Sequence, residues 1–133
     1  MVQIKMNNID YIMDLLDWNN STEVQAKGIE LAKKVKNINV FLQPCNRKHN
    51  KNVWENCAKV LSTKTDEELT PYLIELFEWL QDLNWPGAFC IMERLKKYGD
   101  NSSFSFSFDI CIKCAKALKD DAWESNLYLI RRE

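Results

Sequence analysis

Apolar residues recur at three- and four-residue steps along most of this chain. In the clearest stretch, residues 70–98, one apolar stripe ends at Leu83 and another begins at Ala88. The members are Leu73, Leu76, Phe77, Leu80 and Leu83, followed by Ala88, Ile91, Met92 and Leu95. This spacing places each set on one face of a helix. The pattern therefore predicts two amphipathic helices joined by a corner of two residues.

The residues at the corner predict where the two helices start and stop. Thr70 and Pro71 suit the N-cap and the first turn of the first helix. Asn84 is expected in the left-handed position after its last turn. Trp85 is held extended by the following proline, and Pro86 is expected to open the second helix. A link this short makes the two helices antiparallel neighbours.

Further apolar stripes predict helices on both sides of this hairpin. We expect them over about residues 9–18, 22–35, 52–61, 105–118 and 121–130, after a loose or edge-packed start at residues 1–7. The expected N-caps are Asn8, Ser21 or Thr22, Asn50 or Asn52, Ser105 or Ser107, and Asp120 or Asp121. Residues 38–42 are expected to form a short helical turn or an extended segment.

Two details deviate from a simple helical pattern. Gly28 lies inside the second helix, where glycine is unfavourable, so we expect a neighbouring helix to cross closely there. Phe104, Phe106 and Phe108 alternate with serines, which is typical of a strand. Because no second strand is predicted to pair with it, we expect this segment to lead into a helix instead.

The composition favours one helical domain over residues 1–133. The chain is 46% hydrophobic, which argues against disorder, and it has only three glycines and three prolines. Its net charge of −1, without a long block of one sign, argues against a general nucleic-acid binder. Five cysteines, with no signal peptide and no apolar run of membrane-spanning length, predict a reduced cytoplasmic protein with free thiols.

The segment from about residue 66 to residue 130 resembles a known family. Its most specific part is EWLQDLNWPGA, from Glu78 to Ala88, and Asp-Asp-Ala-Trp-Glu follows from Asp120. The family comprises small bacterial proteins catalogued as a domain of unknown function. The resemblance implies an all-α, HEAT-like fold, in which antiparallel helix pairs stack as a short right-handed superhelix of about seven helices. It implies no catalytic residue.

Few residues could bind a metal ion or act as a nucleophile. Cys45, His49 and Cys57 could in principle meet on zinc. His49 is the only histidine and lies among asparagine, lysine and arginine, so we expect a solvated loop there instead. Cys111 and Cys114 form a single CxxC inside a predicted helix, where we expect a role in the core. We therefore predict no catalytic, cofactor-binding or metal-binding residue.

The corner carries the residues that we consider for binding a partner. Trp79 lies beside the apolar stripe of its helix and Trp85 lies at the corner, and a partly exposed indole is often central to a protein interface. The alternative for Trp85 is that its indole fills the corner and closes the hairpin. Glu78 and Asp82 are like charges four residues apart, which a cation from a partner would stabilise. Carboxylates at such spacing could also serve acid–base chemistry, but on a helix exterior they usually form the solvated face.

We interpret the chain as a non-enzymatic helical-repeat module that binds a protein, of an immunity or regulatory type by analogy with other small helical-repeat proteins. One alternative is a small enzyme or metal-binding protein that uses Cys45 and His49. Another is a helical-repeat protein that binds nucleic acid. The basic residues for this last alternative are Lys33, Lys34, Lys36, Arg47, Lys48 and Lys51.

Overall fold

The structure, a computed structural model, describes residues 2–99 and 101–131, with side chains from Asn8 onward. These ranges contain eight α-helices, three 3₁₀ helices and no strand, so the predicted all-α class is confirmed. The α-helices are α1 (Val2–Leu15), α2 (Thr22–Ala32), α3 (Lys51–Ser62), α4 (Asp66–Leu69), α5 (Leu73–Glu78), α6 (Ala88–Lys96), α7 (Ser102–Ala117) and α8 (Asp121–Tyr128). The 3₁₀ helices are Ile38–Phe41, Thr70–Tyr72 and Trp79–Gln81.

Residues 66–81 form one interrupted helix, because α4, α5 and two 3₁₀ helices follow one another without a gap. Thr65 and Glu68 cap its start reciprocally. The predicted cap Thr70 is wrong, since its hydroxyl donates to the Asp66 carbonyl at 2.7 Å. Pro71 lacks an N–H and so interrupts the α-helical hydrogen bonds here. With α4 and α5 counted as one, the described ranges hold the predicted seven helices.

The chain divides into two compact units, unit 1 (Met1–Thr63) and unit 2 (Lys64–Glu133). Unit 1 contains α1 to α3, and unit 2 contains α4 to α8. A single domain over residues 1–133 and a right-handed superhelix of stacked helix pairs both stay predictions.

In unit 1, α2 packs against α1 and α3, and the 3₁₀ helix Ile38–Phe41 packs against α3. The buried apolar side chains are Ile12, Met13, Leu16, Ala32, Ile38, Phe41, Val53, Trp54, Cys57, Ala58, Val60 and Leu61. Gly28 is buried against Leu15, with no room for a side chain between them. The close helix crossing predicted at Gly28 is therefore confirmed.

Asn56 ties the three helices of unit 1 together from inside. Its side chain is buried, and its amide nitrogen donates to the Leu16 carbonyl and to Gln25 Oε1, both at 2.8 Å. Gln25 in turn donates to the carbonyls of Trp18 and Asn20, at 3.2 and 2.7 Å. Because these buried donors are satisfied, the network stabilises one arrangement of the helices.

The start of unit 1 differs from the prediction. α1 begins at Val2 and includes Asn8, so the predicted helix start at residue 9 and the cap at Asn8 are wrong. The loose or edge-packed start predicted for residues 1–7 concerns Met1 and side chains that lie outside the described residues. α2 is capped by Ser21, the alternative to Thr22. The Ser21 hydroxyl accepts a backbone N–H of the first turn at 3.3 Å.

In unit 2, α7 packs against α5 and α8, and the 3₁₀ helix Trp79–Gln81 contacts α6 and α8. The buried apolar side chains are Leu69, Leu73, Leu76, Phe77, Trp79, Leu80, Ala88, Ile91, Met92, Leu95, Tyr98, Phe104, Phe108, Cys111, Ile112, Ala115, Trp123, Leu127 and Ile130. With the exception of Leu83, which is half-buried, the two stripes that define the predicted hairpin are therefore confirmed as core.

Phe77 lies at the centre of this core. Its ring meets Phe104 and Phe108 edge-on, with centroids 5.2 and 5.8 Å apart. The indole N–H of Trp123 donates to the Phe77 carbonyl at 3.0 Å. Asp120 caps α8 as predicted, by accepting the Trp123 backbone N–H at 3.0 Å. The start of α8 is thus fixed both to its cap and to α5.

The corner before α6 is longer than predicted. Residues 82–87 lie between the last 3₁₀ helix and α6. They form two successive turns, in which the Trp85 N–H donates to the Asp82 carbonyl at 3.0 Å and the Ala88 N–H donates to the Trp85 carbonyl at 3.1 Å.

The prediction also assigns the left-handed backbone conformation of the corner to the wrong residue. Gly87 has φ of 85°, whereas Asn84 has no positive φ. Glycine adopts this conformation without steric cost, so it replaces the asparagine that was expected to do so. As a result α6 begins at Ala88, and Pro86 belongs to the turn.

α7 starts earlier than predicted because Asn101 caps it. Asn101 Oδ1 accepts the Phe104 N–H at 2.8 Å. The predicted caps Ser105 and Ser107 are wrong, since both lie inside the helix. Phe104 and Phe108 are one turn apart and buried on one face of the helix, whereas Phe106 between them is exposed. The alternation that resembles a strand therefore lies in a helix, as expected.

Candidate functional site

Four charged or titratable side chains meet on the surface of unit 1. Asp10 and Asp14 stand one turn apart on α1, and Lys48 and His49 lie against them. Lys48 Nζ is 3.2 Å from Asp10 Oδ2 and 3.2 Å from Asp14 Oδ1. His49 Nε2 is 2.8 Å from Asp14 Oδ1, and His49 Nδ1 is 3.9 Å from Asp10 Oδ1. We call these four residues the Asp–His cluster.

The loop before α3 is built so that His49 points inward. Asn46 Oδ1 accepts the backbone N–H groups of Lys48 and His49, at 2.9 and 2.7 Å. The Trp54 indole donates to the Pro44 carbonyl at 2.8 Å, which fastens the start of the loop to α3. The His49 side chain is only 5% exposed. The prediction of a fully solvated loop is therefore wrong at His49.

The start of α3 is connected to the end of α1. Asn50 holds the predicted N-cap position, but its side chain makes no capping hydrogen bond. Instead Asn52 Oδ1 accepts the Asn50 N–H at 2.8 Å, and Asn52 Nδ2 donates to Asp17 Oδ2 at 3.0 Å. These bonds hold the loop residues beside the last turns of α1.

Hydrogen bonds within the Asp–His cluster shift the pKa values of Asp14 and Lys48. Burial acts to raise the pKa of Asp14, but hydrogen bonds from His49 and Lys48, together with their charges, outweigh it and leave that pKa below its ordinary value. Hydrogen bonds to Asp10 and Asp14 raise the pKa of Lys48. The cluster therefore favours an ionised Asp14 next to a charged ammonium group.

The metal-binding alternative predicted from the sequence uses Cys45 and His49, but the fold brings His49 together with aspartates instead. Among the described residues, one group offers three metal-ligating side chains, namely Asp10, Asp14 and His49, with donor atoms within 4.8 Å of one another. Cys45 is exposed and outside this group. Cys57 is buried in the core, where burial raises the pKa of its thiol. Sequence reasoning missed the two aspartates, for which their four-residue spacing was the available signal.

The residues predicted to bind a partner take different positions in unit 2. Trp79 is fully buried, and its indole donates to the Pro86 carbonyl at 3.0 Å, so the expectation of a partly exposed indole is wrong for this residue. Trp85 is half-buried in the corner. Asp82 Oδ1 accepts a backbone N–H two residues on, at 2.8 Å, which stabilises the turn. Glu78 is exposed.

Glu78 stands beside a second carboxylate, Glu75, on α5. Burial, and then the charge of Glu75, raise the pKa of Glu78. Neither residue belongs to an ion pair within the described part of the chain. Burial raises the pKa of Cys111 on α7 to about 12, and the charges of Glu78, Cys114 and Glu75 add to this effect. The helix that carries the acidic pair, α5, packs against α7.

Two phenylalanines of unit 2 face solvent. Phe106 on α7 is 69% exposed and Phe89 on α6 is 60% exposed. Phe106 shares one side of α7 with Ile110 and Cys114, at four-residue steps. Cys114 is exposed, so the predicted core role of the CxxC holds for Cys111 alone.

The basic residues considered for nucleic-acid binding are partly engaged with carboxylates of the chain. Lys48 belongs to the Asp–His cluster, and Lys33 pairs with Glu30 at 3.1 Å. Lys34, Lys36, Arg47 and Lys51 are exposed. The positive charge available to a nucleic acid is thus smaller than the sequence indicates.

The helices and sites described above are those of a small protein whose described residues contain helices and no strand. The comparison with protein families gives its relationship: a domain of unknown function (DUF5071) matches residues 46–129, and the chain belongs to this family. The predicted family resemblance is confirmed, and the match begins earlier than the predicted residue 66. No curated protein and no solved structure matches the chain. Among the helices of the described residues, none combines the length and apolar character needed to cross a membrane.

Proposed function

We propose that this protein is a non-enzymatic helical-repeat module that binds another protein through unit 2. The binding surface comprises Glu75 and Glu78 of α5 with Phe106, Ile110 and Cys114 of α7, and we call it the acidic–aromatic face. The partner contributes lysine or arginine side chains opposite the carboxylates and an apolar contact for Phe106.

The unneutralised pair of Glu75 and Glu78 carries this proposal. Partial burial of Glu78 disfavours its ionised form, and repulsion from the Glu75 carboxylate adds to this cost. A cation from a partner would remove this cost, so binding is favoured by a charge that no described residue supplies in an ion pair. This revises the predicted partner-binding set, because it retains Glu78 and leaves out three residues. Trp79 and Asp82 have structural contacts, and Trp85 is half-buried in the corner.

Phe106 supplies the apolar part of the proposed surface. Fully burying a phenylalanine side chain contributes roughly 1.5–3 kcal/mol. An exposed aromatic side chain is a common anchor at the centre of a protein interface. The 69% exposure of Phe106 leaves most of this energy available to a partner.

We further propose a regulatory or immunity-type role in the bacterial cytoplasm, with HEAT-like stacking of the helix pairs. The five free cysteines support a reducing compartment. The regulatory or immunity-type role rests on analogy with other small helical-repeat proteins.

Co-expression with the products of neighbouring genes tests the proposal. We expect one product to form a stoichiometric complex in size-exclusion chromatography, with an affinity that falls as salt is raised. Glu75→Gln together with Glu78→Gln should weaken binding about tenfold, and Phe106→Ser by about tenfold or more.

Two matched variants control for surface changes elsewhere in unit 2. Glu67→Gln removes an exposed carboxylate of α4, and Phe89→Ser removes the other exposed phenylalanine. Both should bind the partner like the unchanged chain. Equal binding by the Glu75, Glu78 and Phe106 variants would refute the acidic–aromatic face, and failure of every neighbouring product to bind would count against the proposed role.

A further inference from the structure

We propose that the acidic–aromatic face binds an amphipathic α-helix of the partner, which places apolar residues against α7 and lysine or arginine residues opposite Glu75 and Glu78. This assignment rests on the proposed function and adds the kind of segment that the partner contributes. Both helices of the face belong to unit 2, where α5 packs against α7.

One side of α7 carries a row of uncharged residues at the protein surface. Its members follow one another at steps of four and three residues, which is the spacing of a seam between two packed helices. They are Ser103, Ser107, Ile110, Cys114 and Ala117, of which the second and third are half-buried and the others exposed. Phe106 stands beside this row and is 69% exposed. Because the solvated side of a helix normally carries charged residues, the row has the composition of a side that packs against another helix.

The row is long enough to hold a docked helix. From Ser103 to Ala117 it extends about 21 Å, at 1.5 Å per residue, so a partner helix of about four turns can lie along it. Helices that dock in this way offer apolar anchors three, four and seven residues apart. Phe106 and Ile110 are four residues apart and therefore provide contacts at a matching spacing.

The charge next to the row determines the second side of the partner helix. Glu75 and Glu78 are both exposed, and neither has an ion-pair partner among the residues that the structure describes. The two positions are three residues apart on α5. Two lysine or arginine residues three or four positions apart on one helix have the same kind of spacing. A helix that is apolar on one side and basic on the next therefore complements both parts of the face.

Other modes of peptide recognition fit the acidic–aromatic face less well. An extended peptide binds by adding a strand to a sheet edge, and the described ranges contain no strand. A phosphorylated or acidic segment would be repelled by the carboxylates of Glu75 and Glu78. A proline-rich segment needs a groove lined by several aromatic rings, whereas Phe106 is the single aromatic residue of this face. A basic amphipathic helix meets none of these obstacles.

Fluorescence anisotropy with three labelled synthetic peptides, each of about 16 residues, tests the assignment on the full chain. The first peptide has leucine and alanine on one helical side and lysine on the next. The second has the same composition in an order without an amphipathic side, and the third has glutamate in place of lysine. We expect the first to bind at least about tenfold more tightly than either of the others. Equal binding of the first two would show charge attraction alone and would overturn the assignment, as would tighter binding of the third.

Two further measurements locate the first peptide and report its conformation. Glu75→Gln together with Glu78→Gln, and separately Phe106→Ser, should weaken its binding about tenfold, whereas Glu67→Gln and Phe89→Ser should not. A peptide of this length is only marginally helical in water. Circular dichroism of the mixture should therefore show more helix than the sum of its components. Binding without added helix, or with unchanged affinity in the Glu75, Glu78 and Phe106 variants, would refute a docked helix.

The peptide result and the proposed function fail in different ways. If a neighbouring gene product binds the acidic–aromatic face and the first peptide does not compete with it, the partner uses another kind of segment, and the docked helix alone is refuted. If the peptide binds as expected and no gene product does, the helix-binding property stands and the proposed role fails. Self-association of the chain that Phe106→Ser abolishes would show that a second copy occupies the face, and would overturn the assignment.

Discussion

Gly28 of α2 stands so close to Leu15 of α1 that a Cβ at position 28 would lie 2.8 Å from the Leu15 Cβ and 3.2 Å from the Leu15 carbonyl carbon. Both atoms belong to rigid parts of α1, so neither can turn aside as the end of a long side chain would. The close approach of these helices therefore depends on glycine at this position.

Gly28→Ala should destabilise unit 1. Alanine favours the helix by about 1 kcal/mol, but overpacking against a rigid backbone costs about 1–3 kcal/mol. We expect a net loss of about 1 kcal/mol in the free energy of unfolding by urea. Gly99→Ala is the matched control, because its Cβ would meet Asp66 at 3.6 Å, an ordinary contact. A higher free energy of unfolding in the Gly28→Ala variant would show that α1 and α2 can move apart without a loss of stability.

Asp66 should contribute to a loss of stability in acid. Its carboxylate accepts the Gly99 N–H at 3.0 Å and an Arg94 N–H at 2.6 Å, and these bonds, in that order, lower its pKa against the opposing effect of burial. Because the pKa is lower in the folded state, the stabilisation is present above the unfolded pKa of about 4 and is lost as pH falls through the folded pKa.

The urea midpoint measured from about pH 7 to about pH 3 tests this contribution. Asp66→Asn should lower the urea midpoint at neutral pH. The midpoint of this variant should also decrease less than that of the unchanged chain as the pH is lowered. Glu67→Gln changes the neighbouring exposed carboxylate and should preserve the acid dependence. An Asp66→Asn chain with the full acid dependence would show that other carboxylates, such as Asp14, account for it.

Trp123→Phe should destabilise unit 2. The change removes the indole N–H that donates to the Phe77 carbonyl at 3.0 Å and leaves that buried acceptor without this partner. It also leaves a cavity, and together these effects should cost about 2 kcal/mol or more in the free energy of unfolding. Trp18→Phe is the comparison, because Trp18 is 48% exposed, and its cost should be within about 0.5 kcal/mol. Similar costs for the two would contradict the anchoring role of Trp123.

The sequence predicted features that depend on residues near one another in the chain. The stripes, the cap at Asp120 and the requirement for glycine at 28 all follow from helical periodicity or local sterics. The burial of His49 was not predictable in this way, because it depends on aspartates more than thirty residues earlier that supply its contacts. The burial of Trp79 depends similarly on the path of the corner back to Pro86.

The corner itself shows how two local rules compete. Asn84 and Pro86 each match a helix-boundary preference, but Gly87 adopts the left-handed conformation more easily than asparagine. Once Gly87 takes that position, the proline lies in a turn and α6 begins later. The sequence rules assess the boundary preference of each residue separately. In the folded chain these preferences must be compatible with one another, so only one of the competing helix boundaries forms.

The five free cysteines should differ widely in their reactivity with iodoacetamide. Cys45 and Cys114 are exposed and should react first, whereas Cys57 and Cys111 are buried. Burial, with a smaller contribution from Glu78, raises the pKa of Cys111 to about 12, so very little of it is thiolate near pH 8.

Mass spectrometry of peptides from the folded chain measures these rates site by site. Cys111 should be modified at least about a hundredfold more slowly than Cys114, although only three residues separate them. Denaturant should remove the difference, which would show that it comes from the fold and not from neighbouring side chains in the sequence. Equal rates in the folded chain would mean that α7 does not present Cys111 to the core and Cys114 to solvent. Because the acidic–aromatic face depends on the same orientation of α7, this result would also refute that face.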